Sequence, residues 1–76
     1  MTVTLHELGT GGTGCVVSVD GANGNGSRML AMGLTPGTRI RVERVAPLGD
    51  PIEIRLRGYS LMIRRSEACQ ITVRLD

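Results

Sequence analysis

The chain has 76 residues, 41% of them hydrophobic, and nine arginines against seven acidic residues give a formal net charge of +2. At this length folding hides only roughly 60% of the surface the unfolded chain exposes, so the core is lean and a deep pocket has little room. The charge is too mild to imply nucleic acid by itself, the absence of lysine removes any lysine-dependent chemical step, and two cysteines are too few for a secreted disulfide framework.

With no Phe or Trp, and Tyr59 as the lone aromatic, the core must be filled by Val, Ile, Leu and Met. That favours a mainly β architecture, a compact small barrel, over a broad sheet platform. Cys15 and Cys69 read as small core hydrophobes of a reducing compartment. The opening stretch MTVTLHELG lacks a basic start followed by an apolar run, and no stretch is long enough to cross a bilayer. A cytoplasmic protein forming one domain over residues 1–76 is expected, with no direct membrane insertion.

In chain order, Leu5 and Leu8 face the core from a first short helix that leaves His6 toward solvent. GTGGTG, from Gly9 to Gly14, formally matches a dinucleotide fingerprint. No strand precedes it and a strand follows it, so it reads as a flexible lead-in loop. A Walker loop is excluded, since it requires a lysine. From Cys15 to Asp20 the residues alternate, Cys15, Val17 and Val19 sharing one face of a half-buried strand. The Asn-Gly pairs of GANGNGS predict an exposed, mobile turn.

Ser27 is placed to cap a short helix over Arg28 to Met32, which Gly33 ends. Leu34 is placed to fold back onto the core, and Pro36-Gly37 fits a tight turn. In TRIRVERVA the apolar set slips from Ile40 and Val42 to Val45, which predicts a bulge near Glu43 and Arg44. Ile52, Ile54 and Leu56 alternate with Glu53, Arg55 and Arg57. After a turn at Gly58, Tyr59, Leu61 and Ile63 resume the inward set. Arg64 to Cys69 reads as one helical turn, and Ile71, Val73 and Leu75 as the strand that closes a barrel of about five strands.

Chemistry-bearing residues are few. A ferrous or zinc site would draw on His6, Glu7, Cys15 and Cys69, whose spacings complete no tetrahedral set. No cofactor is required on this reading, and weak Fe2+ or Zn2+ binding is the most the inventory allows. The outward arginines Arg39, Arg41, Arg55 and Arg57 are interspersed with Glu43 and Glu53, with no exposed aromatic for base stacking. A solvated face fits them better than a nucleic-acid stripe. No motif sets an acid and a base beside a nucleophile, so no enzyme is expected.

The pattern R-x-L-x-M-G-L-x-P-G at Arg28 to Gly37, then APLGDP at Ala46 to Pro51 and IEIRLRGYSLMIRRSEACQITV, closely resembles the FeoA family of ferrous-iron-transport accessory proteins. The matching positions are Leu30, Gly33, Pro36, Gly37, Pro47, Gly49, Asp50, Pro51, Gly58, Glu67 and Ala68. Most of them have a structural reason alone, Leu30 by core packing and the glycines by backbone geometry. The resemblance implies an SH3-like β barrel acting as a cytoplasmic adaptor of a FeoB-type membrane GTPase that transports ferrous iron. A free-standing transition-metal-sensing domain, related to those of iron-dependent repressors, is the alternative, and a homodimer is left open. The expected partner surface combines the helix end with the following loop: Met32, Leu34, Pro36, Pro47, Leu48, Asp50 and Pro51.

Overall fold

The structure is a computed structural model, and it describes residues 1–20 and 26–76. In chain order these form β1 (Thr2–Thr4), a 3-10 turn (Leu5–Glu7), β2 (Thr13–Val19), α1 (Gly26–Ala31), β3 (Arg39–Val45), β4 (Ile52–Leu56), β5 (Tyr59–Ile63), α2 (Arg65–Ala68) and β6 (Ile71–Leu75). All six strands join one sheet in the order β1-β6-β2-β3-β4-β5, every neighbouring pair antiparallel. The principal extents, 27 × 25 × 24 Å, are nearly equal, so the sheet curls around its core rather than lying flat. Leu5, Met29, Leu34, Val42, Ile54, Ile71 and Val73 are fully buried at its centre.

Two register shifts allow that curl. One falls between Val42 and Arg44, where the apolar slip predicted a bulge, and the second between Val16 and Ser18. The second splits the expected face of β2: Val16 before it is buried and Val17 within it is 41% exposed, while Val19 beyond it packs against the core as its place in the alternation indicated. The strand also begins earlier than its alternation indicated, because Thr13 and Gly14 already pair with β3. The glycine-rich stretch is therefore no free lead-in. Gly11 N–H donates to the Val42 carbonyl (2.7 Å) and Val42 N–H to the Gly12 carbonyl (2.9 Å), which pins it to β3.

The sixth strand is β1, three residues that pair with β6. The 3-10 turn that follows sends Leu5 into the core and leaves Leu8 packed against it. Glu7 reaches back to the start of this turn. Its Oε1 accepts from Thr4 Oγ1 (2.6 Å) and Thr4 N–H (3.1 Å), and these bonds, the hydroxyl's first, hold the Glu7 carboxyl below its ordinary value. A lowered carboxylate value means the tie supports the fold at neutral pH and is lost as acidification passes through the folded-state value. Thr4→Val returns the Glu7 titration toward the ordinary glutamate range, read by side-chain NMR; an unmoved titration contradicts the assignment.

α1 begins at Gly26, so Ser27 lies inside the helix and does not cap it; the rest of the predicted turn, residues 21–25, lies outside the described residues. The helix ends as the sequence indicated. Gly33 has φ +105°, Gly33 N–H donates to the Leu30 carbonyl (3.0 Å) and Leu34 N–H to the Met29 carbonyl (3.1 Å). This pair of bonds is the Schellman ending, and its apolar contact is made by Met29 and Leu34, both fully buried. Leu30 is instead 41% exposed, which corrects the expectation that it packs in the core. Thr38 N–H then donates to the Thr35 carbonyl (3.1 Å) across Pro36-Gly37, with Gly37 at φ +93°, the type II geometry those residues favour.

β4 and β5 form a hairpin with Leu56 opposite Tyr59. Arg57 (φ 48°) and Gly58 (φ 85°) fill the two-residue turn, both left-handed, as the twist of such hairpins requires. Arg57 Nη2 donates to the hydroxyls of Thr38 (3.0 Å) and Thr35 (3.2 Å), which ties the turn to the Pro36 loop. Ile52, Ile54, Leu56 and Ile63 are buried as expected, but Tyr59 is 41% exposed. Its hydroxyl donates to the Met32 carbonyl, so the ring stays at the rim of the barrel.

Candidate functional site

The expected partner surface divides into two patches joined by β5. The first lies at the hairpin end. Pro36 is exposed, Met32 is half-buried against the core, and Tyr59 covers the helix end through its bond to the Met32 carbonyl. Leu34 is fully buried, which removes it as a contact residue: its side chain belongs to the helix ending and supports the patch from beneath.

The second patch lies at the other end of the hairpin, where the loop from β3 to β4 turns. Gly49 N–H donates to the Ala46 carbonyl (2.7 Å), a tight turn with Pro47 and Leu48 at its centre, and Ala46 N–H donates to the Pro51 carbonyl (3.1 Å). The Asp50-Pro51 peptide bond is cis. Asp50 fastens the loop to α2, its Oδ1 accepting from Arg65 N–H (3.0 Å) and its Oδ2 lying 3.8 Å from Arg64 Nη1. The loop is thus held at both ends, and Leu48 stands at its tip, 93% exposed. Pro47 and Asp50 are exposed beside it and Pro51 is half-buried.

The two patches do not meet. Ile52 opposite Ile63 marks the Leu48 end and Leu56 opposite Tyr59 marks the Met32 end, so a whole five-residue strand separates them. Sequence order alone suggested one surface, because Gly37 and Ala46 are joined by a single strand; that strand carries the chain from one end of the barrel to the other. Met62, outward on β5 and 58% exposed, is an apolar residue the sequence reading did not single out. It sits at an outward position of the alternation and opposite Glu53, which was the available signal.

α2 anchors the second patch. Glu67, one of the family-like positions, is only 5% exposed; its Oε1 accepts from Arg64 N–H (2.9 Å) and its Oε2 pairs with Arg28 of α1. A charge buried to this degree needs both partners, which explains why Glu67 follows Arg64 by three residues. Ala68 beside it is fully buried, whereas Cys69 is exposed and Cys15 half-buried, so neither cysteine is a core residue. Both have free thiols.

Arg39, Arg41, Arg55 and Arg57 are all exposed, as the alternation indicated. Arg39 Nη2 meets Asp76 (2.7 Å), Arg41 lies 3.6 Å from Glu43, and Arg44 pairs with Glu53 (2.9 Å). Among the described residues no group of three His, Cys, Asp or Glu side chains is placed to hold a metal ion. His6 Nδ1 lies 2.9 Å from the Thr4 hydroxyl. No helix of the described residues is long and apolar enough to cross a membrane.

Comparison with known proteins agrees with this architecture. Residues 3–75 match the family described as the FeoA domain. A Porphyromonas gingivalis protein described as an Fe(2+) transport protein A/Fe(2+) transporter FeoB fusion is 39% identical over 71 residues, which are 93% of this chain and 8% of that protein. The chain therefore spans only a small part of that curated relative. The solution structure of a FeoA-like protein from Clostridium acetobutylicum is 38% identical with a TM-score of 0.90, covering 97% of this chain and 86% of that one. The zinc complex of Stenotrophomonas maltophilia FeoA, described as a prokaryotic SH3 domain protein, is 27% identical with a TM-score of 0.80, covering 97% and 89%. The fold is accordingly an SH3-like barrel. A manganese-dependent transcriptional repressor, 18% identical with a TM-score of 0.88 and covering 99% of this chain and 42% of that one, shares the fold.

Proposed function

The chain belongs to the FeoA family, and on that premise we propose that it is an accessory adaptor of ferrous iron transport, acting by binding the cytoplasmic portion of a FeoB-type membrane GTPase and not by catalysis. The observation that carries this reading is Leu48. A leucine 93% exposed normally belongs to a mobile tip, yet this one stands on a turn closed by its own backbone bonds and fastened to α2 through Asp50. Docking such an anchor costs little ordering of the loop, which is how a small apolar surface gains affinity. The fusion of a FeoA-like part to a transporter in the Porphyromonas gingivalis relative supports the same partner.

On this reading Pro47, Leu48, Asp50 and Pro51 form the main contact patch, with Met32 and Pro36 as a second patch at the far end of β5. Leu48→Arg leaves every hydrogen bond of the loop in place and lowers affinity for the transporter's cytoplasmic portion by at least about tenfold, measured by calorimetry. Asp50→Arg gives a similar loss because Leu48 is no longer held. Unchanged affinity in a folded Leu48→Arg variant removes this placement.

A further inference from the structure

We propose that the free edge of β5 receives an extended acidic segment of the transporter as an added strand of the sheet. This rests on the adaptor reading and deepens it. Among the described residues β5 is the last strand of the sheet and pairs with β4 alone. Across a two-residue turn the flanking residues, Leu56 and Tyr59, exchange both backbone bonds, and such pairs alternate along the ladder. Tyr59, Leu61 and Ile63 therefore bond to β4, while the N–H and C=O groups of Ser60 and Met62 point away from it. An edge of this kind is a template for another strand unless it is short, bulged or interrupted by proline. β1, the opposite edge, is three residues long; β5 has five, no proline and no register shift.

Its position and charge select the occupant. β5 runs from Tyr59, bonded to the Met32 carbonyl, to Ile63, next to the Arg64 and Arg65 that hold Asp50. One extended segment along this edge, about 15 Å in length, reaches both patches that a compact contact would leave apart. From Arg57 to Ser66 the chain carries three arginines and no carboxylate, and Arg57, Arg64 and Arg65 are all exposed. A second copy of the chain does not fit. Two-fold antiparallel pairing about Leu61 brings the Arg57 turn of each copy toward the Arg64-Arg65 start of α2 in the other, like charge near like charge. A segment bearing Asp or Glu reverses that penalty.

The test follows the Ser60 and Met62 amides of the full chain by hydrogen exchange, alone and with two probes: the transporter's cytoplasmic portion and a short synthetic peptide of alternating valine and glutamate. Both amides gain protection with either probe. Met62→Pro, which removes one outward donor and no bond to β4, weakens binding about fivefold, and Arg65→Glu weakens it and flattens its salt dependence. Transporter binding that leaves both amides unprotected and is unaffected by Met62→Pro overturns strand addition while the adaptor reading stands. Protection by the peptide without transporter binding keeps the edge site and overturns the adaptor reading. Binding of neither probe overturns both.

Discussion

Leu34→Ala lowers the stability of this protein by about 2–5 kcal/mol, the range for truncating a fully buried leucine where neighbours collapse only in part. Leu34 is fully buried and makes its contact with Met29 across the Schellman ending of α1, so its loss opens the core and loosens the helix end together. For 76 residues the total stability expected is roughly 4–11 kcal/mol, which makes the loss a large fraction of the whole. The melting temperature falls by at least about 8 °C. Leu30→Ala, at a position 41% exposed on the same short helix, costs less than about 1 kcal/mol. Equal effects from the two, measured by urea unfolding, contradict the burial assigned to Leu34.

Gly14→Ala costs about 3 kcal/mol, and Gly14→Val more. Gly14 lies in β2 between β3 and β6, opposite Ile40 on one side and Leu75 on the other. A Cβ at this position comes within 2.5 Å of Val73 Cγ1 and 2.6 Å of the Arg74 carbonyl oxygen. The second of these is backbone, so the clash is relieved only by separating β2 from β6, and the cost reaches the upper end of the range for overpacking. Gly9→Ala, where nothing lies within 4 Å, leaves stability within about 0.5 kcal/mol. The contrast assigns the glycine-rich stretch to strand packing. Two glycines of equal effect on thermal unfolding contradict it.

How far the sequence was legible follows the length of its patterns. The strands at residues 52–56 and 59–63 alternate over ten positions around a Gly turn, and the slip from Val42 to Val45 marks a bulge; both were readable because each residue adds to one phase. The Gly33 to Gly37 segment was readable because positive φ admits few residue types. β1 was missed since three residues are too few to show a period. The single inward face expected of β2 holds at Val19 and fails at Val17, because the bulge lies inside the strand and shifts the phase between Val16 and Ser18. Met29 and Leu30 are adjacent apolar residues on a helix of six, too short for periodicity to choose the buried one. Tyr59 follows the inward alternation, but its hydroxyl needs an acceptor and finds the Met32 carbonyl at the rim.

The candidate site was legible in its parts and not in its arrangement. Leu48 and Asp50 are recognisable as exposed loop residues from APLGDP. That Asp50 fastens the loop to α2, fifteen positions onward at Arg65, depends on the hairpin returning the chain to the same end of the barrel. The distance between the Met32 and Leu48 patches likewise depends on strand length and register. Both are tertiary facts, which composition and spacing do not carry.

The adaptor reading meets its most direct test in one reconstitution. A FeoB-type membrane GTPase in proteoliposomes is assayed for binding of this chain, with GTP hydrolysis and ferrous uptake followed in its presence and absence. Association that depends on Leu48, with a change in at least one of the two rates, is the expected result. No association, with both rates unchanged, contradicts the adaptor reading.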